Sequence, residues 1–589
     1  MFNMENEKKW NPIKDQILTR WVKDIDPNQP HPEYPRPQLK RDEWLNLNGL
    51  WDYIISPKDV KEVESYDGKI LVPYPIESAL SGVGKKLKPN QKLWYHRKFI
   101  IPENWKEKKI LLHFGAVDWE TNVWINGNRI GEHKGGYTPF EFDISNSLND
   151  RENEISISVW DPTNKGKQEY GKQSLRPKII FYTAISGIWQ TVWLEAVPDT
   201  FIEINYFTPD IDSESITIDT KVNNPETDDK LEFVILNKGF NNILHVGNVN
   251  QKHEIKIKSP KLWSIDNPFL YEIIIRIKRD DKIIDEVYSY FGMRKVSLSK
   301  IEDGVIRIEL NNNPLFQYGT LDQGYWPDGL YTAPTDEALK YDIQITKELG
   351  FNMIRKHVKV EPARWYYHCD KIGILVWQDM PNGGVIDISN QPTNINEYKT
   401  KREEDDKLNY YNELEVMVAK FYNFPSIIVW VPFNEGWGQF DTKKVTERIR
   451  KLDSSRLINS ASGWYDHGIG DIYDIHRYPS PIMPNIENAK SRALVVGEFG
   501  GIGLDVENHM WNTTEKFVYR NFSDSDKLTR KYERFIKKLQ SFIKNGLSAA
   551  IYTQITDVEG EVNGLLTYDR EIIKIDQDRL NELNRSLFE

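Results

Sequence analysis

Residues 427–437 read Ile-Ile-Val-Trp-Val-Pro-Phe-Asn-Glu-Gly-Trp. The run from Ile427 to Val431 is apolar at every position, the pattern of a strand buried on both faces. It stops at Asn434-Glu435, and Gly436 and Gly438 follow. A carboxylate at the end of a buried strand is costly unless it is paired or functional. The carboxyl ends of the strands are where a parallel barrel places its chemistry. A second stretch has the same grammar: Ala493-Leu494-Val495-Val496-Gly497-Glu498-Phe499-Gly500-Gly501. One such glutamate is commonly a cap or an ion-pair member. Two in the same half of one chain form a matched pair, which is what glycoside hydrolysis needs: one acid/base, and one nucleophile or second base.

Around these stretches, from about residue 297 onward, strands alternate with helices. The apolar runs predict eight strands, near 315–321, 352–357, 375–379, 427–433, 457–461, 472–478, 494–497 and 549–555. The clearest helix spans 526–545, with Leu528, Tyr532, Phe535, Leu539 and Phe542 at spacings of three and four and Gly546 closing it. Eight alternations in just under 300 residues predict a (β/α)8 TIM barrel over 297–589. Upstream the period changes to two. Residues 41–197 carry short strands such as 94–100, 110–114, 121–125 and 153–159, with Asn126-Gly127 as a hairpin turn, and predict a jelly-roll β-sandwich. Residues 198–296 repeat the style on a smaller scale and predict an immunoglobulin-like sandwich of roughly seven strands. Residues 1–40 are polar and proline-rich, an arm that must dock if it is ordered.

The chain has 589 residues and a formal charge of -11 without a long run of one sign, which argues against nucleic acid and against an anionic membrane surface. No apolar run approaches membrane-spanning length. The N-terminus has no apolar segment of the signal-peptide kind, and the single cysteine, Cys369, precludes an internal disulfide; both fit a cytoplasmic protein. Cys369 lies in a helical pattern and is expected to be a buried small apolar residue. The 19 Trp, 29 Tyr and 24 Phe serve cores first, but sugar sites also use aromatic faces. No HExxH, Cys/His cluster or calcium-loop pattern is present, so no metal and no cofactor is expected.

Several motifs, in order, resemble glycoside hydrolase family 2, the family of β-galactosidases, β-glucuronidases and β-mannosidases. VWINGNRIGEHKGGYTPFEFDI (123–144) and SGIWQTVWLE (186–195) resemble its N-terminal sugar-binding-like sandwich. FGMRKV (291–296) resembles the junction into the barrel, and GFNMIRKH (350–357) the second barrel strand. FPSIIVWVPFNE (424–435) resembles the acid/base signature, and VVGEFGG (495–501) the nucleophile signature. The resemblance implies a retaining exo-β-glycosidase with Glu435 as acid/base and Glu498 as nucleophile, their carboxyl groups about 5–5.5 Å apart. At that distance one pKa must rise, and the proton is assigned to Glu435.

The resemblance also implies substrate-binding roles. Asn434 would donate to the sugar 2-hydroxyl; a local turn-forming Asn is the plain alternative. Arg355 would pair with a carboxylate such as Glu498. His357 would contact the sugar or a catalytic carboxylate, or be a satisfied structural histidine. Asp379 would bind sugar hydroxyls or cap a loop. His476 and Tyr478 end the sixth strand, where a tyrosine would hydrogen-bond the nucleophile. Trp326, Trp437 and Trp464 sit on loops of the same face, one or two to stack on sugar and the rest to form wall. Tyr552 and Gln554 stand at the eighth strand, where the family often presents a tryptophan.

The expected partner is an oligosaccharide or glycoside, and a homo-oligomer is compatible with a pocket rim closed by a neighbouring subunit. A glucuronidase should offer an Asn/Lys pair to the substrate carboxylate; the stretch Glu559-Gly560-Glu561-Val562-Asn563-Gly564 is acidic instead and would repel it. A neutral β-D-galactoside is therefore favoured. β-Glucoside, β-mannoside, β-glucuronide and α-L-arabinopyranoside are the alternatives within the family. From other classes, the chain would be a non-catalytic carbohydrate-binding protein, or its N-terminal sandwich would anchor polysaccharide.

Overall fold

The structure is a computed structural model and describes residues 10–14, 16–236, 242–300, 304–383 and 402–588. Residues 1–9 of the arm lie outside the described residues. The first sandwich packs a six-stranded sheet, which includes Gly49–Pro57, Gln91–Ile100 and Glu152–Trp160, on a four-stranded sheet that includes Lys109–Phe114 and Val192–Val197. Alternation sends Ile155, Ile157 and Val159 inward against Leu93, Tyr95 and Leu112, a core buried from water on every side. Asn126 (φ 50°) and Gly127 (φ 79°) form the tight turn expected there, joining Glu120–Ile125 to Asn128–Lys134. The second sandwich sets a three-stranded sheet on a four-stranded one, around Phe207, Ile218, Phe233 and Ile275.

The barrel strands are β1 Gln317–Asp322, β2 Met353–Lys356, β3 Leu375–Asp379, β4 Ile427–Val431, β5 Leu457–Ile458, β6 Ile472–His476, β7 Ala493–Gly500 and β8 Leu547–Thr553. They run in the order β5-β4-β3-β2-β1-β8-β7-β6, with parallel neighbours. The β5–β6 seam has no strand ladder among the described residues. One backbone bond, Asp471 N to Ile458 O at 2.8 Å, and side chains stitch it: Ile458 N donates to Asp471 Oδ2 at 2.7 Å, and Asn459 Nδ2 to Asp474 Oδ2 at 2.8 Å. Leu321, Met353, Trp377, Val429, Val495 and Ile551 fill the barrel interior, and Ile308 and Leu310 from the preceding hairpin plug its lower end. The amphipathic helix Ser525–Lys544 lays Leu528, Tyr532, Phe535 and Leu539 on the barrel.

The arm docks across two domains. Thr19 donates from both N (2.8 Å) and Oγ1 (2.6 Å) to Asp328, and Trp21 packs edge-on against Trp326. Tyr34 donates to Glu195 in the first sandwich at 2.6 Å. No described helix is long and apolar enough to cross a membrane.

Candidate active site

The upper ends of β2, β3, β4, β6 and β7 converge. Beyond β4, Asn434 bridges to Ser462, and Glu435 N donates to Ser462 O at 2.9 Å. Glu435 sits at φ 51°, a conformation that non-glycine residues rarely adopt, held between that bond and the Trp437 N to Asn434 O bond (2.8 Å). On β7 the pairing register slips between Val496 and Phe499, a bulge that turns Glu498 toward the axis. Gly497 lies in the bulge because a Cβ there would run into the Asp474 carboxylate, which accepts from Gly497 N at 2.6 Å.

An oxygen of Glu435, an oxygen of Glu498 and a ring nitrogen of His476 all lie within 4.8 Å of one another. Arg355, fully buried, spans the floor. Its Nη1 donates to Glu498 Oε1 (3.2 Å), its Nη2 to Asn434 Oδ1 (2.9 Å) and Asp379 Oδ2 (3.0 Å), and its Nε to Asp379 Oδ1 (3.0 Å). Tyr478 OH donates to Glu498 Oε2 at 2.6 Å and meets Thr553 Oγ1 at 2.6 Å. Burial works to raise the Glu498 pKa. The charges of His476 and Arg355 and the Tyr478 bond overcome it and hold the carboxylate down at about 2. Glu498 is thus ionised across the working pH range.

His476 Nδ1 lies 2.9 Å from Glu435 Oε1 and 3.6 Å from Glu498 Oε1. Its Nε2 meets Ser462 Oγ at 2.8 Å, and that hydroxyl donates to Asp474 Oδ2 at 2.6 Å. Burial opposes the imidazolium, but Glu498 and Glu435 outweigh it and raise the His476 pKa. Among the described residues these three are the one group with metal-ligand reach. The two carboxylates favour the charged form of the imidazole between them.

All eight sequence-expected residues meet at this site, but not all face the pocket. Asp379 is fully buried and spends its oxygens on Arg355 and His357 Nδ1 (2.9 Å). Its described bonds, like those of Arg355, run to neighbouring side chains of the site. Asn434 gives its Oδ1 to Arg355, which leaves its amide N–H groups for another partner. Trp326 packs under Arg570 and Trp437 stacks on Phe181 (5.5 Å, 21°), so both are wall; Trp464 stays 44 % exposed. Tyr552 turns away into a cluster with Phe499 and Tyr532, and Thr553 takes its place in the site. Sequence reasoning did not single out Ser462, Thr553 or the first-sandwich segment carrying Lys172, Phe181 and Tyr182. Tyr182 OH donates to Glu561, and Thr183 N to Glu559 Oε1 at 2.8 Å.

Comparison with known families matches three consecutive modules: the sugar binding domain of glycosyl hydrolases family 2 at 40–198, a glycosyl hydrolases family 2 domain at 200–294, and the family 2 TIM barrel domain at 332–493. The chain belongs to glycoside hydrolase family 2. The β-galactosidase of Thermoanaerobacter pseudethanolicus is 29% identical over 479 residues, covering 78% of this chain and 61% of that protein. A putative β-glucuronidase of Formosa agariphila is 27% identical over 385 residues, 63% of this chain and 34% of its own. The family 2 chain thus spans less than two thirds of these relatives. The solved β-glucuronidase of Ruminococcus gnavus shares its fold, with a TM-score of 0.75 at 18% identity over 95% of this chain and 100% of that one. The β-D-glucuronidase of Dictyoglomus thermophilum does so with a TM-score of 0.74 at 19% identity, over 94% of this chain and 98% of that one.

Proposed function

We propose that this chain is a retaining exo-β-glycosidase acting on terminal non-reducing β-D-galactosides. The observation that carries the reading is that one carboxylate oxygen of Glu435 and one of Glu498 lie within 4.8 Å of each other. Retaining enzymes need about 5–5.5 Å between carboxyl groups, and inverting ones about 6.5–9.5 Å. Glu498, ionised by its neighbours, attacks the anomeric carbon as the glycosidic C–O bond breaks. The proton held between Glu435 and His476 passes from Glu435 to the leaving oxygen. Glu435 then takes a proton from water, whose oxygen displaces Glu498 and releases the sugar with its anomeric configuration kept. Asn434 offers its amide to the 2-hydroxyl, where a contact strengthens in the transition state.

The acidic Glu559–Gly564 loop supports a neutral sugar over a uronide, as does the relative named a β-galactosidase. The relative named a putative β-glucuronidase supports the uronide as the second reading. Three measurements test the proposal. Aryl β-galactoside, glucoside, mannoside, glucuronide and α-L-arabinopyranoside should be hydrolysed with a clear preference for the galactoside. A 2-deoxy-2-fluoro aryl galactoside should leave a glycosyl ester on the peptide carrying Glu498. Glu498→Gln should abolish turnover, and Glu435→Gln should slow a poor leaving group by about 10²–10⁴-fold. Labelling elsewhere, or near-normal rates in either variant, would sink the assignment.

A further inference from the structure

One charged group in the pocket does not come from the barrel. The segment around 168–183 of the first sandwich crosses to the mouth of the barrel and is pinned there. Gly171 N donates to Tyr137 OH at 3.0 Å, and a Cβ on Gly171 would run into the carbonyl of Val358, the residue after His357. Ten residues on, Phe181 stacks on Trp437, two residues after Glu435. Lys172 lies between these anchors. Its ammonium is 6.0 Å from the Trp437 ring centroid and 5.7 Å from that of Tyr182, the tyrosine bonded to Glu561.

The side chain is only 6% exposed. Among the described residues its ammonium makes neither a hydrogen bond nor an ion pair. A buried ammonium without an acceptor is costly, and a lysine so placed is retained where a ligand completes it. Its field also reaches the catalytic floor: after burial, Lys172 is the strongest influence holding His357 neutral.

We infer that Lys172, supplied by the first sandwich, is a specificity-determining residue that donates a charged hydrogen bond to a ring hydroxyl of the neutral glycon. The inference rests on the glycosidase reading above and names which part of the substrate this lysine reads. A hydroxyl suits the site better than a carboxylate. Glu561 is buried beside Tyr182 and, like Glu498, acts on Tyr519, so a uronate carboxylate would meet these two acidic groups. A hydroxyl accepts from Lys172 without bringing charge of its own.

The test pairs the full-length enzyme and Lys172→Met with aryl β-galactoside, its 3-, 4- and 6-deoxy derivatives, and aryl β-glucuronide. Methionine keeps the length of the stem and removes the donor. The expected result is a loss of about 100-fold in kcat/KM on the parent galactoside, the scale of a hydrogen bond to a charged group, with a melting temperature equal to or above that of the wild type. One deoxy substrate should cost the wild type a similar factor and cost Lys172→Met nothing, because donor and acceptor are then already gone. Lys172→Arg should recover part of the loss. An unchanged kcat/KM overturns the inference. So does an equal loss on every deoxy substrate, which marks a general electrostatic role, or a loss confined to the glucuronide, which marks a carboxylate reader. If the variant melts early, the same overturning pattern is sought with Lys172→Gln. A wild type inactive on every member defeats the glycosidase reading and this inference with it; an active wild type with an indifferent variant defeats the inference alone.

Discussion

Ser462 has one hydroxyl hydrogen, and at 2.6 Å it goes to Asp474. Its oxygen must then accept from His476, which places a hydrogen on Nε2. The remaining nitrogen faces Glu435 at 2.9 Å, so a proton between the two groups serves the acid/base role proposed for Glu435. The Glu498 and Glu435 carboxylates outweigh burial and raise the His476 pKa, so this proton is held to higher pH than on a free imidazole. Replacing His476 by Asn should therefore move the alkaline limb of the kcat/KM profile to lower pH. With a poor leaving group the rate at pH 8 should fall by about 10–100-fold, within the range ascribed to acid catalysis. With a 2,4-dinitrophenyl glycoside, which needs no acid to depart, the profile should hardly move. Equal effects on both substrates would show that His476 does not manage this proton. At this scale the convergence of Glu435 and Glu498 was legible because a charge that ends an apolar strand has few bland explanations. The alignment duty of Asp379 was not, because it follows from where the Arg355 fork points, and a sequence carries no such angle.

Of the barrel elements, β7 departs furthest from what its sequence displays. Its apolar run implied a strand ending at Gly497 with Glu498 beyond it, yet the strand runs Ala493–Gly500 and carries Glu498 inside it. A fully apolar strand has no alternation to report which side chain faces where, so the bulge at Val496–Phe499 could not be read from it. The glycine is the surviving trace. Gly497→Ala would push a methyl group into the Asp474 carboxylate, which also braces Asn459 and Ser462 across the β5–β6 seam. We expect overpacking of about 1–3 kcal/mol, seen as a lower melting temperature. A loss of kcat should come with it, because the same displacement moves Glu498 and Ser462. Gly468→Ala, where a Cβ would meet nothing within 4 Å, is the control, though its φ of 71° adds some strain. Equal stability of Gly497→Ala and wild type would mean that the bulge is not fixed by Asp474.

Across the whole molecule, the pocket is a joint product of two domains, and the arm fastens them. Alternation within each sandwich and alternation of strand and helix in the barrel are local signals, so the three architectures were readable. Contacts between domains are not local: Thr19 reaches Asp328 across 309 positions, and Tyr182 reaches Glu561 across 379. The proline-rich arm announced that it must dock but not where. Asp328 shows what the docking resolves. It is fully buried, burial raises its pKa, both bonds from Thr19 converge on its Oδ2, and its Oδ1 has no side-chain or backbone partner. Thr19→Val keeps the shape of the side chain and the backbone bond but deletes the hydroxyl. It should cost about 1–3 kcal/mol, the penalty for leaving a buried acceptor short of a donor. Calorimetry should find the sandwich and barrel transitions drawing apart, since the arm contacts both. Activity should fall with them, because Lys172 and Phe181 reach the barrel only while the first sandwich is held against it. A single unchanged transition in Thr19→Val would mean that the direct interface of sandwich and barrel is sufficient without the arm.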